Sequence, residues 1–232
     1  MGKTSFLDLP DSIILICLPK IIDRYTRSLF KAHARKAFSC NGDLSSLINF
    51  KSVKSIKFFA ERGVLFTSLS AFESLTNLDI SSCHGATLFN VPLPTTIMRL
   101  TLASCSRITD LSPLISLSNL IFLDISRCTG IRDLSSLRCI KSLTGLDISG
   151  CCHVKDIIPL EGLTSLTELI MSNTKISDLE PIRGLTNLRF LDISYCRYII
   201  DVSPITSILS INIECCPSIT NMPLWCVDDG VS

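Results

Sequence analysis

The sequence is short of charge and of histidine, and each shortage removes a class of function. Asp, Glu, Lys and Arg make up only 19% of its 232 residues, and the formal net charge is +1. A general nucleic-acid binder would carry a marked basic excess. The apolar fraction of 47% is equally far from a disordered composition. Its three histidines, His33, His84 and His153, stand in no metalloprotease or nucleophile motif. The twelve cysteines include no Cys-x-x-Cys pair, the spacing most often seen in zinc sites. Ligands do occur side by side at Cys83-His84, Cys151-Cys152-His153 and Cys215-Cys216. Adjacent residues on or just after a strand face different ways, so these make poor ligand sets. No metal or other cofactor is expected, and the chain reads as non-enzymatic. No apolar run approaches the roughly 20 residues of a membrane span. The most apolar stretch, Ile13–Leu18, stops at Pro19 and follows Asp8 and Asp11, where a secretory leader would be free of acid. A cytoplasmic location is expected, with the nucleus as the alternative.

The near-zero charge hides an asymmetry. Residues 1–63 hold 11 Lys and Arg against 5 Asp and Glu, and the rest of the chain holds 11 against 16. A basic head precedes an acidic body.

What the sequence has in abundance is a period. An apolar residue, two others, an apolar residue, one other and an apolar residue recur eight times. The triplets are Val53/Ile56/Phe58, Leu75/Leu78/Ile80, Ile97/Leu100/Leu102, Leu120/Leu123/Ile125, Leu143/Leu146/Ile148, Leu166/Leu169/Met171, Leu188/Leu191/Ile193 and Ile208/Ile211/Ile213. Their first members lie 22, 22, 23, 23, 23, 22 and 20 residues apart. A fixed period in this range marks a solenoid. Within each unit the alternation predicts a short strand with two side chains inward. Three residues later comes a small residue: Cys83, Cys105, Cys128, Cys151, Thr174, Cys196 and Cys216. A second apolar point follows, then turns such as Asp110-Leu-Ser-Pro113-Leu114, repeated around Asp156/Pro159, Asp178/Pro181 and Asp201/Pro204. Proline suits the first position of a short helical turn, where its missing N–H has no partner to lose.

Over about residues 50–220 this pattern resembles the leucine-rich-repeat family, as in Leu188-x-x-Leu191-x-Ile193-x-x-Cys196-x-x-Ile199. The short period resembles the class in bacterial internalins and in a regulatory subunit of type-1 protein phosphatase. Cys105-Ser-Arg-Ile108-Thr109-Asp110 resembles the cysteine-containing class of F-box proteins. The mixed unit is similar to kinetoplastid repeat proteins described as adenylate cyclase regulators. The resemblance implies an α/β solenoid with a parallel sheet on its concave side and short turns on the convex side. It also implies a protein–protein interaction scaffold, with a phosphatase or adenylate cyclase regulatory subunit as one alternative.

In that family the small residue after the strand points inward, as a ladder that satisfies loop amides. Stacked strands lie about 4.8 Å apart, and side chains in one column run parallel. Their Cβ separation then exceeds the roughly 3.8 Å mean of a disulfide, so reduced thiols are expected. The aspartates form two columns set by the repeat. Asp79, Asp124, Asp147 and Asp192 belong to the strands, and Asp110, Asp133, Asp156, Asp178 and Asp201 to the turns. Regular placement points to structure rather than acid–base chemistry.

A solenoid's extended wall is its usual binding surface. The outward positions there include Arg99, Phe122, Arg127, Glu168, Ile170, Phe190 and Tyr195, where the fold demands no large or charged group. Aromatic and arginine side chains dominate interface energetics, so these seven form the predicted protein-binding set. The N-terminal residues 1–50 are predicted as a helical cap, with one helix starting near Pro10 and a second over about 20–38 bearing Arg24, Arg27, Lys31 and Arg35. Leu9, Pro10, Ile13, Ile14 and Leu18 resemble the opening of an F-box. That resemblance implies a Skp-type linker as partner and a substrate receptor of a cullin ubiquitin ligase as a further alternative. Residues 221–232, with Met222-Pro223-Leu224-Trp225, are predicted as a C-terminal tail or cap.

Overall fold

Side chains two apart on a strand point the same way, so each triplet offers a coil two apolar groups that only the neighbouring coils can cover. The computed structural model describes residues 53–60, 69, 72–82 and 92–221 without 206–207, together with the backbone of two N-terminal strands. The strands in chain order are β1 (Ser12–Cys17), β2 (Ala37–Ser39), β3 (Ser55–Ala60), β4 (Asn77–Asp79), β5 (Arg99–Thr101), β6 (Phe122–Asp124), β7 (Gly145–Asp147), β8 (Glu168–Ile170), β9 (Phe190–Asp192) and β10 (Ser210–Asn212). All pair in parallel, in the order β10-β9-β8-β7-β6-β5-β4-β3-β1-β2. Strands β3 to β10 are the eight predicted repeats. Their register places Ile56, Leu78, Leu100, Leu123, Leu146, Leu169, Leu191 and Ile211 in one file.

Behind the sheet the burial follows a fixed rhythm. The coil from Leu143 buries Leu146, Ile148, Cys151, Val154, Ile157, Leu160 and Leu163 with it, and the coils from Ile97 and Leu120 repeat the same eight offsets. After the ladder residue the inward positions fall every third residue, a spacing that matches the three residues per turn of a 3-10 helix. Short 3-10 turns therefore occupy the side away from the sheet, at Ser112–Ser116, Ser135–Cys139, Ile158–Leu160, Glu180–Ile182 and Ser203–Ile205. Pro113, Pro159 and Pro181 sit in the first positions of their turns, as their missing N–H predicts. The coil from Leu166 is one residue shorter between Thr174 and Ile176, and the core closes over the gap with both residues buried. Among the described residues no helix is long and apolar enough to cross a membrane.

The N-terminal expectation needs correction. Residues 12–17, where the first helix of the cap and the F-box-like segment with Ile13 and Ile14 were expected, form strand β1. This strand lies beside β3, pairing Ile13 with Ile56, and β2 lies on its other side, pairing Ile14 with Ala37. The physical reason is composition. Three of the four residues in Ile13-Ile14-Leu15-Ile16 are β-branched, which favours a strand over a helix. A helix-based F-box contact is thus not formed by Ile13 and Ile14; Leu9, Pro10 and Leu18 lie outside the described residues, as does most of the expected second helix. The predicted tail from Met222 onward lies outside them too.

Leu146 is central in the file and 1% exposed. Its replacement by alanine is expected to cost about 2–5 kcal/mol, measured by urea unfolding. Because each coil is covered only by its neighbours, amide exchange should accelerate most in the coils from Leu120, Leu143 and Leu166.

Candidate functional site

The outward face of the sheet carries three columns, and the backbone uses two of them. In the column between the inward strand residues, Asp79, Asp124, Asp147 and Asp192 are half-buried. Each turns a carboxylate oxygen back to accept the N–H two residues on: Ser81 at 3.0 Å, Ser126 at 2.9 Å, Ser149 at 2.8 Å and Ser194 at 2.8 Å. Asn212 does the same for Glu214 at 3.2 Å. These Asx turns guide the chain out of each strand. The consequence for charge differs along the column. Burial pushes Asp79 up, but the Lys57 ammonium at 2.6 Å and the bonds from Ser81 hold it below the usual carboxylate value. Asp147 has no such cation; burial raises it, Ser149 opposes, and the like charges of Asp124 and Asp192 add to the rise.

The third column is set by backbone conformation. Ser82, Ser104, Arg127, Gly150, Asn173, Tyr195 and Cys215 all take positive φ, between 53° and 68°. From Ser82 to Tyr195, each N–H in this column reaches a carbonyl of the following coil, for example Arg127 to Ser149 at 2.6 Å and Tyr195 to Glu214 at 2.8 Å. The left-handed turn thus extends the inter-coil ladder past the three-residue strand. Gly150 and Asn173 suit it; for other L-residues the conformation is disfavoured by about 1–2 kcal/mol.

Of the predicted binding set, Arg99, Phe122, Glu168 and Phe190 stand in the first outward column, Ile170 in the second and Arg127 and Tyr195 in the third, and the structure divides them. The Arg99 guanidinium lies 4.3 Å from the centroid of the Phe122 ring, within cation–π range. On the other side, a Cβ added at Gly145 would stand 2.7 Å from Phe122 Cδ2, so the ring occupies the slot that the glycine leaves open. Arg127 behaves alike, with its Cγ 3.1 Å from a Cβ placed at Gly150. Both glycines belong to the coil from Leu143, whose outer face is covered by side chains of the coil before it. Arg99, Phe122 and Arg127 are therefore engaged with their own neighbours. Farther along, exposed Glu168 lies beside half-buried Phe190 in register, and half-buried Ile170 lies between Asp147 and Asp192. Tyr195 is 48% exposed, and its hydroxyl lies 3.5 Å from Glu214 Oε1.

Of the described ladder cysteines, Cys105, Cys128, Cys151 and Cys196 are buried and Cys216 is half-buried, and their bonding differs from the expectation. Rather than only receiving loop amides, each thiol reaches the carbonyl of the last inward strand residue one coil back. Cys105 bonds to Ile80 at 3.2 Å, Cys128 to Leu102 at 3.1 Å, Cys151 to Ile125 at 3.1 Å, Cys196 to Met171 at 3.2 Å and Cys216 to Ile193 at 3.0 Å. An S–H is a donor as well as an acceptor, and the carbonyls of Leu102, Ile125 and Ile193 each accept it beside the N–H of the ladder cysteine of their own coil, at 3.1–3.2 Å. Thr174 bonds within its own coil, to Met171 at 2.8 Å. Burial pushes the Cys151 thiol up to about 12 and Cys128 higher still, with the N–H of the preceding ladder residue opposing in each case. No disulfide joins the described ladder cysteines to one another; Cys83 lies outside the described residues. The turn aspartates are structural too. Asp110, Asp133, Asp156, Asp178 and Asp201 each accept a backbone N–H at the start of a 3-10 turn, at 2.7–2.8 Å. Among the described residues no group of three or more His, Cys, Asp or Glu is placed to hold a metal ion.

Sequence reasoning found the columns but missed the glycine slots and the left-handed column. The slots were visible only as Gly145 and Gly150 themselves, and the left-handed position as a site where Ser, Gly and Asn recur.

Two outcomes follow from this geometry. Cys128 and Cys151 have folded-state pKa values above the ordinary 9.0, so their contribution to stability is complete below that pH and is lost as pH rises, for Cys151 through about 12. The loss should approach about 1.4 kcal/mol per pH unit for each thiol. A Cys128→Ala, Cys151→Ala variant should lose less stability than the parent between about pH 8 and about pH 10.5 in urea titrations. Gly145→Ala should displace the Phe122 ring at about 1–3 kcal/mol, and the same change in a Phe122→Ala background should be nearly neutral, a coupling read from the double-mutant cycle.

The family model for leucine-rich repeats matches residues 141–182 and 164–207 in two copies. No curated protein matches the chain in sequence. Among solved structures it is similar to internalin C2 from Listeria monocytogenes, with 28% identity, a TM-score of 0.56 and 69% of each chain covered. It is also similar in fold to the functional domain of InlJ from Listeria monocytogenes, which includes a cysteine ladder. There the identity is 21% and the TM-score 0.55, over 81% of this chain and 44% of that one. The coil period, the file of buried leucines, the parallel sheet and these likenesses lead to one conclusion: the chain folds as a leucine-rich-repeat solenoid, with residues 141–207 matching the family model itself.

Proposed function

We propose that the chain is a protein-interaction scaffold whose partner docks on the outward sheet face over β8 to β10. Ile170, Phe190 and Tyr195 act as apolar anchors there, and Glu168 and Glu214 as the charged rim. The leucine-rich-repeat fold itself suggests a protein-binding scaffold. The location is carried by one observation: Tyr195 is held at φ 59° and left 48% exposed. A bulky side chain in the left-handed region is disfavoured, and here it gains little burial in return. Strain kept without a packing reason points to use. Ile170 supports the same place. It interrupts the Asx column with a side chain unable to accept the N–H of Ser172, and it lies in register between two aspartates. Phe122 differs, because Arg99 and Gly145 account for its position.

The test begins with a partner captured by the full chain, identified by mass spectrometry and prepared pure. Phe190→Ala with Tyr195→Ala should weaken its binding by about tenfold or more, the size of a lost hot spot, while Phe122→Ala should lower stability and leave affinity near the parent's. Tyr195→Asn should raise the urea midpoint, since Asn tolerates the left-handed region, and still weaken the complex. Unchanged affinity in the Phe190/Tyr195 variant overturns the assignment of the face.

A further inference from the structure

On the loops that follow β7, β8 and β9, four side chains from three successive coils line one open cleft of about 290 Å3: Lys155, Lys175, Ser177 and Tyr198. They offer two ammonium groups and two hydroxyls, and no carboxylate lines the cleft with them. None of the four side chains makes a hydrogen bond or ion pair within the described residues. Four cations elsewhere are engaged: Lys57 with Asp79, Arg183 with Glu180, Lys141 with the Gly162 carbonyl and Arg99 with the Phe122 ring. The two acids next in sequence are committed to their turns, Asp156 accepting the N–H of Ile158 at 2.7 Å and Asp178 that of Glu180 at 2.8 Å. Tyr198 is 53% exposed, so its ring forms a wall of the cleft rather than part of the core.

We infer that this cleft binds a phosphate-class oxyanion. Ammonium groups and hydroxyls together suit a tetrahedral anion, which accepts several charge-assisted bonds at once. The volume is at the small end of ligand pockets, sufficient for a phosphoryl group and the residue that bears it. Nearby Asp156 and Asp178 reduce the local positive potential, so binding requires both lysines. The inference is independent of the outward sheet face, because none of its four residues belongs to the sheet columns.

The experiment is an amide NMR titration of the full chain at constant ionic strength, with O-phospho-L-serine, inorganic phosphate and L-serine as probes. Saturable shifts below about 10 mM for either phosphate probe are expected, centred on residues 153–156, 174–178 and 197–199, with none for L-serine. Lys155→Gln with Lys175→Gln should weaken binding by about tenfold or more, as the loss of one or two charge-assisted hydrogen bonds implies. Arg138→Gln with Lys141→Gln removes the same charge elsewhere and should leave binding unchanged. Tighter binding of phosphoserine assigns the site to a phosphorylated side chain, and tighter or equal binding of inorganic phosphate assigns it to the free ion; both uphold the cleft. Shifts that do not saturate, or an equal loss in the two double variants, overturn it.

Discussion

Everything in this molecule depends on the fact that a coil covers its apolar side chains only with the coil above and the coil below. A strand of three residues has too little surface to be stable alone. The file from Ile56 to Leu191 is buried because each member finds a near-copy of itself one coil away. This explains the strict offsets of the inward set, and it explains why the last coil leaves Ile211, Ile213 and Ile219 only partly buried. Burial here is a nearest-neighbour property, and register is its condition.

Stacking solves the apolar problem and creates a polar one. Between the short strands the backbone must turn through several groups that no sheet ladder reaches, and buried groups of this kind need partners. The repeat supplies them in columns. Carboxylates at the strand ends and before the 3-10 turns take N–H groups, and ladder thiols bond carbonyls one coil back. The left-handed residues hand their N–H to the next coil. No buried side-chain nitrogen or oxygen lacks a partner among the described residues. Most of the aspartates and inward cysteines that invite a chemical reading are thus consumed by the architecture, and burial keeps Cys128 and Cys151 protonated and unreactive.

Function is left to the departures. Two adjacent coils deviate most. The coil from Leu143 has glycines at two outward positions and is covered by Phe122 and Arg127. The coil from Leu166 is a residue shorter and carries Ile170 and Thr174 where its neighbours have Asp and Cys. Beyond them stand Phe190 and Tyr195 on the face, and the loops between them carry the lysines of the cleft. These substitutions share a trait: the coil geometry tolerates them and does not call for them.

How much of this was legible follows from where the information lies. The period, the eight strands, the inward leucines, the reduced ladder and the structural aspartates are written in spacing along the chain, so the sequence determined them. Spacing also gave the predicted binding set, as side chains of the wrong size for their column. The fate of that set was a matter between coils. Phe122 is half-buried because a side chain is missing at Gly145, 23 residues away in sequence and adjacent in register. Ile13 and Ile14 sit in a strand because the edge of β3 offers a ladder to a β-branched run that a helical reading had claimed. Lys155, Lys175, Ser177 and Tyr198 share a cleft because three coils bring their loops together. Local pattern decides which way a side chain points within its own coil; only stacking decides what it meets, since that depends on a residue one full turn of the solenoid away.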